Sequence, residues 1–370
     1  MFLESKQALE DVSLAQEWAE LSRLYQRKLW HQLTVKLMSF MRSEAFKTGG
    51  LLELYHNFLV DFELKLNPLS LAEILLHIAV EIDSFYEMVA FIERVKEKVK
   101  HSEEATILCV VAIGDVRLRQ KDYPAVKLQL DQALGVLELQ NGVSKAHAPY
   151  YNLSIQYHKS QDNHASYYRD ALRYLGCVDI GDIPFSEQVE RAYHLALAGV
   201  LAEDIYNFGE LLAHPVLDSL KDSDKNWIVQ LLQAFNAGDL NNMKALESTW
   251  KLQPDLRDNE PQLNQKIRLL ALMNLTFTHP ANERTLPFTT IATVADLPSS
   301  KVELLVMKAL SLGLVRGTID EVAQEVHMTW VQPRVLDIEQ VGLLHQKMGV
   351  WSRSVSATVG HVQRQAKDLL

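Results

Sequence analysis

The sequence predicts a mainly α fold: a tetratricopeptide-like helical-repeat solenoid that runs into a winged helix and ends in one long helix. Three observations carry that prediction. Apolar residues recur at helical spacing through roughly the first 283 positions, without long strand-like alternation. Residues 284–332 alone change period from helix to strand. Beyond Asp337 apolar residues return at alternating three and four spacing, closer to a 3.5-residue seam than to one broad buried face.

In order, Trp18, Leu21, Leu24 and Tyr25 form one stripe, and Leu33, Leu37, Phe40 and Met41 the next. Residues 51–66 read as a third helix. Asn67-Pro68-Leu69-Ser70 restarts the chain, with Ser70 and Glu73 spaced as a capping box. Ile74, Ile78 and Ile82 continue that helix. The following one ends in Arg94, Lys96, Lys98 and Lys100, interleaved with Glu93 and Glu97 as on a solvated face. Three joints share a frame: Tyr25, Trp30, Leu33; Leu118, Tyr123, Val126; and Phe235, Leu240, Met243 sit at zero, +5 and +8 around a short polar turn. This is the junction of an antiparallel helix pair. The joints keep no constant period, so the repeats are degenerate. Each pair must stack on its neighbours, which predicts a curved right-handed solenoid closed at one end by the winged helix.

In residues 284–332, Phe288 and Ile291 form the apolar pair of a short amphipathic turn, and Pro298 interrupts the chain. Ser300 and Glu303 read as a capping box before a helix whose buried stripe is Val302, Leu305, Val306, Ala309 and Leu310. Gly313 stands where a left-handed cap is wanted. Residues 314–319 and then Val326 to Val331 read as a two-stranded ribbon. Nucleic-acid binding is the weaker function for this winged helix. Its basic residues, Arg284, Lys301, Lys308 and Arg316, are matched by Asp296, Glu303, Asp320, Glu321 and Glu325, and the recognition helix has no Arg or Asn to read base edges. Docking to protein is the stronger reading.

The final seam comprises Val341, Leu344, Met348, Trp351, Val355, Thr358, Val362 and Leu369, with Ala366 beside it. Gly342, Gly349 and Gly360 each weaken the isolated helix by on the order of 1 kcal/mol. A weak helix with a long apolar seam calls for partner helices; packing back on its own wing is the competing arrangement, but the small ribbon covers too little of it.

Composition and motifs restrict the chemistry. The chain has 370 residues, 48% of them hydrophobic, and a formal net charge of -10, which disfavours membrane surfaces and bulk nucleic acid as partners. Cys109 and Cys177 are too few for a disulfide framework and lack metal spacing, which points to a reducing compartment. No leader-like start and no apolar run of roughly 18 residues is present, so a soluble intracellular protein is expected. Phosphate-loop, dinucleotide and zinc-hydrolase motifs are absent. The histidines, among them His77 and His194, are scattered, and Cys109 sits among apolar neighbours. The expectation is no enzyme, no cofactor and no metal.

Helical repeats joined to a winged helix, with the turn Phe235-Asn236-Ala237-Gly238-Asp239-Leu240, resemble the PCI domain. Runs such as Lys28-Leu29-Trp30-His31-Gln32, Asn67-Pro68-Leu69-Ser70-Leu71, Asn207-Phe208-Gly209-Glu210-Leu211-Leu212 and Val326-His327-Met328-Thr329-Trp330-Val331 narrow the resemblance to PCI subunits of the proteasome regulatory-particle lid, over about residues 24–338. The domains expected are a helical-repeat arm at 1–170, a PCI domain at 171–338 with its winged helix at 284–332, and a bundle helix at 339–370. The resemblance implies a non-catalytic scaffold of the lid in cytoplasm and nucleus. Its partners would be other PCI subunits, the deubiquitinase-bearing part of the lid, or the core particle. Val326, Met328 and Trp330 would fill the winged-helix core or dock a neighbour, with His327, Thr329 and Val331 on the opposite face. Val341, Leu344, Met348, Trp351, Val355 and Val362 would enter a helical bundle. A PCI position in the signalosome or a translation initiation factor, or a nucleic-acid-binding winged helix, are the competing readings.

Overall fold

The computed structural model describes residues 12–41, 50–140, 142–221, 223–279, 284–335 and 338–365. Helix α1 (Val12–Gln26) leads into α2 (Trp30–Met41) through a turn that recurs along the chain. Lys28 adopts φ 56°, which lets the Leu29 amide donate to the Leu24 carbonyl and the Lys28 amide to the Tyr25 carbonyl. These are the two reverse bonds of a Schellman cap, and they close carbonyls that the helix end would leave open. Trp18 meets Phe40 edge-on at 4.9 Å, and Lys36 reaches Glu17 and Glu20 at 2.7 and 2.8 Å, so the two helices run antiparallel.

The first unit extends to Asp179. It continues through α3 (Leu51–Asn57), α4 (Pro68–Ala79), α5 (Phe85–Val99), α6 (Glu103–Arg119), α7 (Tyr123–Leu137), α8 (His147–Ser160) and α9 (His164–Cys177). Between α6 and α7 Lys121 takes φ 62° with the same pair of reverse bonds, and Asp122 then caps α7 by accepting from the Ala125 amide. Asp162 and Asn163 do likewise between α8 and α9. That fourth joint has the same frame (Lys159, His164, Tyr167), but its first two positions are polar, which hides it from an apolar pattern.

Two local readings change in this unit. Residues 51–66 are not one helix: α3 ends at Asn57, and 3₁₀ turns Leu59–Asp61 and Glu63–Lys65 follow. Phe58, Leu59 and Phe62 are all buried there, with the Phe58 and Phe62 rings 5.0 Å apart. The Glu81 carboxylate, in the turn after α4, accepts from the Leu51 and Leu52 amides and so supplies the N-terminal cap of α3. At the start of α4 the cap is Asn67, which accepts from the Leu69 amide with Pro68 in the first turn, so Ser70 and Glu73 form no capping box.

The second unit begins at Ile180. Its helices are α10 (Phe185–Leu201), α11 (Gly209–Ala213), α12 (Asn226–Ala237), α13 (Leu240–Ala245), α14 (Glu247–Trp250), α15 (Pro254–Asp258) and α16 (Glu260–Thr278). Gly238 makes the α12–α13 turn at φ 66°, and Asp239 caps α13. A Cβ at Gly238 would lie 2.5 Å from the Ala271 Cα, so α16 crosses directly over the turn. The winged helix packs on α16 and comprises β1 (Thr285–Pro287), α17 (Phe288–Ala295), α18 (Val302–Ser311), β2 (Val315–Asp320) and β3 (Glu325–Val331). A last helix, α19, covers Ile338–Gln365.

The expected two-stranded ribbon is a three-stranded antiparallel sheet in the order β1-β3-β2. Leu286, just before the amphipathic turn of Phe288 and Ile291, lies buried in β1 opposite Val326. A three-residue strand is too short to show alternation and exists only because β3 pairs with it. Ser300 does not cap α18: Ser299–Lys301 forms a 3₁₀ turn, and no side chain caps the helix that follows. Gly313 does take the left-handed cap, at φ 68°.

Replacing Gly238 by Ala is expected to lower stability by about 2 kcal/mol or more, from positive φ and the contact with α16 together. Lys121→Gly, at the equivalent place, is expected to be neutral or stabilising by up to about 1 kcal/mol. Urea unfolding of the full chain measures both, and a Gly238→Ala midpoint equal to wild type refutes the first.

Candidate assembly surfaces

The winged helix sorts its apolar residues inward. Phe288, Ile291, Val302, Leu305, Val306, Ala309, Val326 and Met328 are buried, as their spacing requires. The alternation along β3 then slips. Val331, expected on the outer face, is buried, and Trp330 is half-exposed. The cause is a bulge in β3 itself: Arg316 lies opposite Trp330 and the next residue of β2, Gly317, opposite Met328, so Thr329 is an extra residue that shifts the alternation. A Cβ at Gly317 would stand 2.2 Å from the His327 carbonyl oxygen, so glycine is needed at the irregularity. Trp330 instead lies under the Arg316 guanidinium, 4.9 Å from its ring centre.

His327 and Thr329 are exposed, as expected for the outer face. A His327 ring nitrogen is 3.0 Å from the Thr285 hydroxyl, and the Thr329 hydroxyl donates to the Arg316 carbonyl. Because β3 is central, the sheet edges belong to β1 and β2. The outward face of α18 shows Leu304, Met307, Lys308 and Ser311. Two large apolar side chains and one cation suit a protein partner better than a phosphate backbone. Leu304 and Met307 were overlooked in the sequence because they lie outside the buried stripe.

Val341, Leu344, Met348, Trp351, Val355, Thr358 and Val362 of the final seam are exposed on α19, with Trp351 at 69%; Ala366 and Leu369 lie outside the described residues. Leu343, Val350 and Val359 are exposed as well, off the seam. Between 341 and 365 the helix carries Lys347, Arg353 and Arg364 and no carboxylate, in a chain whose net charge is -10. Such a surface fits helices that bring apolar side chains and carboxylates together.

Groups that resemble catalytic sets do not form one. The Ser154 hydroxyl donates to Asp170 at 2.5 Å, and His158 approaches the same carboxylate at 3.7 Å, so the acid occupies the place a general base would need. Burial holds His158 below the usual imidazole range, against the pull of Asp170. Burial also pushes the Cys109 thiol up to about 12. Among the described residues no group of three His, Cys, Asp or Glu side chains gathers to hold a metal, and no helix is long and apolar enough to cross a membrane.

One buried charge escaped sequence reading. Lys266 on α16 is 6% exposed, and its Nζ donates to the carbonyls of Gly199, Val200 and Ala202 at 2.8, 3.0 and 2.6 Å. It thereby closes the C-terminus of α10, where orphan carbonyls and the helix dipole favour a cation. The Phe208 ring centre is 5.2 Å from the same nitrogen. Burial pushes the ammonium down to about 7, with Asp204 opposing. The available signal was its position: Lys266 falls between Leu263 and Leu270 on the buried stripe of its helix.

Residues 17–232 match the family described as PSD13 N-terminal repeats, and residues 240–330 match the PCI domain. The chain is 37% identical to the 26S proteasome non-ATPase regulatory subunit 13 homolog A of Arabidopsis thaliana, over 96% of this chain and 95% of the relative. It is 34% identical to the 26S proteasome non-ATPase regulatory subunit 13 of Dictyostelium discoideum, over 94% and 92%. The probable 26S proteasome regulatory subunit rpn9 of Schizosaccharomyces pombe is 36% identical, over 100% and 97%.

The folded chain binds the Lys266 proton more weakly than the unfolded chain does. Unfolding free energy should therefore rise with pH between about 7 and the ordinary lysine range, where the unfolded chain holds more protons. Lys266→Met should remove that slope and, by leaving helix-end carbonyls unpaired, cost about 2–3 kcal/mol at pH 7. Urea midpoints from pH 7 to 10 compare the two proteins; parallel pH profiles would refute the assignment.

Proposed function

The chain belongs to the 26S proteasome non-ATPase regulatory subunit 13 family, and on that premise we propose that it is a non-catalytic scaffold of the regulatory-particle lid. In this reading it holds the deubiquitinase-bearing part of the lid and other PCI subunits in place while ubiquitinated proteins are degraded. It works in both cytoplasm and nucleus. The observation that carries the proposal is α19, a helix with an exposed apolar seam along most of its length. An isolated helix of this kind, weakened by Gly342, Gly349 and Gly360, gains order and buried area only among partner helices. Lys347, Arg353 and Arg364 then select neighbours bearing carboxylates.

The winged helix supplies a second docking surface through Leu304 and Met307, through the outer sheet face at His327 and Thr329, and through the free edges of β1 and β2. Strand addition at such an edge would extend the sheet of a neighbouring subunit. Contact of the N-terminal unit with the core particle belongs to the same proposal. The balanced charges of the winged helix and the apolar outer face of α18 disfavour a nucleic-acid reader.

A tagged full-length chain should co-purify proteasome lid subunits at moderate salt, and a chain truncated after Asp337 should lose or deplete them, as identified by mass spectrometry. Met348→Glu with Trp351→Glu in the full chain should reproduce that loss with an unchanged thermal midpoint. Recovery of nucleic acid or unrelated proteins in place of lid subunits overturns the proposal.

A further inference from the structure

In the first unit, alternate helices α2, α4, α6 and α8 line a groove of about 530 Å³. That volume lies within the roughly 300–1,000 Å³ typical of sites that bury most of a ligand. Its floor is apolar: Ile74, Leu108, Val111 and Leu153 are buried, and Met38 and Met41 form one end. Two methionines give that end an adaptable surface. At Gly114 α6 and α8 approach closely: a Cβ there would meet the Leu153 side chain at 2.6 Å.

The rim has a definite charge. Glu73 and His77 stand one turn apart on α4, and neither makes an ion pair among the described residues. Asp115 and Arg119 on α6 neutralise each other at 2.8 Å. Among the described residues Glu73, at the edge of an apolar floor, is therefore the rim carboxylate without a paired cation. An acidic or phosphorylated segment would be repelled there, and Arg119 is already engaged. A Lys or Arg suits the place well, since its stem lies on apolar surface while its head meets the carboxylate.

We propose that this groove docks a segment of a partner protein in which a Lys or Arg is flanked by apolar side chains. The apolar residues fill the floor between α4 and α6, and the cation pairs with Glu73. This contact is separate from α19 and from the winged helix, so it operates alongside assembly through those surfaces.

The test places a photo-crosslinking amino acid at Gln156, an exposed groove residue on α8, in the tagged full-length chain in cells, and identifies the joined peptide by mass spectrometry. The expected result is one dominant joined segment, from another protein, with a Lys or Arg among apolar residues. Its yield should fall at least fivefold with Glu73→Lys and with Ala112→Trp, which fills the groove, and stay unchanged with the distant Glu210→Lys. Thermal melting of each variant checks the fold; if Ala112→Trp lowers the midpoint, Glu73→Lys alone decides. No joined peptide, an acidic one, one from this chain itself, or a yield indifferent to Glu73→Lys overturns the proposal.

Discussion

Four joints between antiparallel helices turn on one residue held at positive φ. Without it, the carbonyls of the helix end would stay open and the chain would need another way to turn back. Lys28, Lys121, Asp162 and Gly238 solve both problems with one geometry, as two reverse hydrogen bonds close the helix and the chain turns back on itself. Three of the four are not glycine. The strain of about 1–2 kcal/mol at each is offset by the apolar faces that the turn brings together. Gly238 differs because α16 lies against it, leaving no room for a side chain.

The same logic of closing open polar groups appears at longer range. Glu81 caps α3 from the turn after α4, and Lys266 closes the end of α10 from α16. Both tie elements that are distant in sequence, and both are costly to break because the freed groups are shielded from water. Apolar groups left open are treated differently. On α19 and on the outer face of α18 they remain exposed in the chain by itself, which is where a subunit of a large assembly meets its neighbours. On the scaffold reading proposed above, the cations of α19 would give direction to that association in an otherwise acidic chain.

Much of this was legible in the sequence. The stripes of α1, α2 and α18, the strands β2 and β3, the cap at Gly313 and the seam of α19 all follow from period and turn chemistry. Capping was read less well. Ser70 and Ser300 have box spacing, but Asn67 and a 3₁₀ turn occupy those helix starts, because spacing alone does not decide which of several nearby polar residues reaches an amide first. The outward placement of Val331 failed because Thr329 is an extra residue in β3, and only the pairing with β2 reveals it.

By itself, then, the sequence determined the element types, the helix-pair joints and the apolar seam, since these depend on spacing within a few residues of one another. Only the tertiary structure decided that Leu286 is a strand residue, that Val331 is core and that Lys266 is buried with three carbonyl partners. Each of these rests on a contact made by a residue far away in the chain. Hydrogen bonding and burial across such distances leave no local period to read.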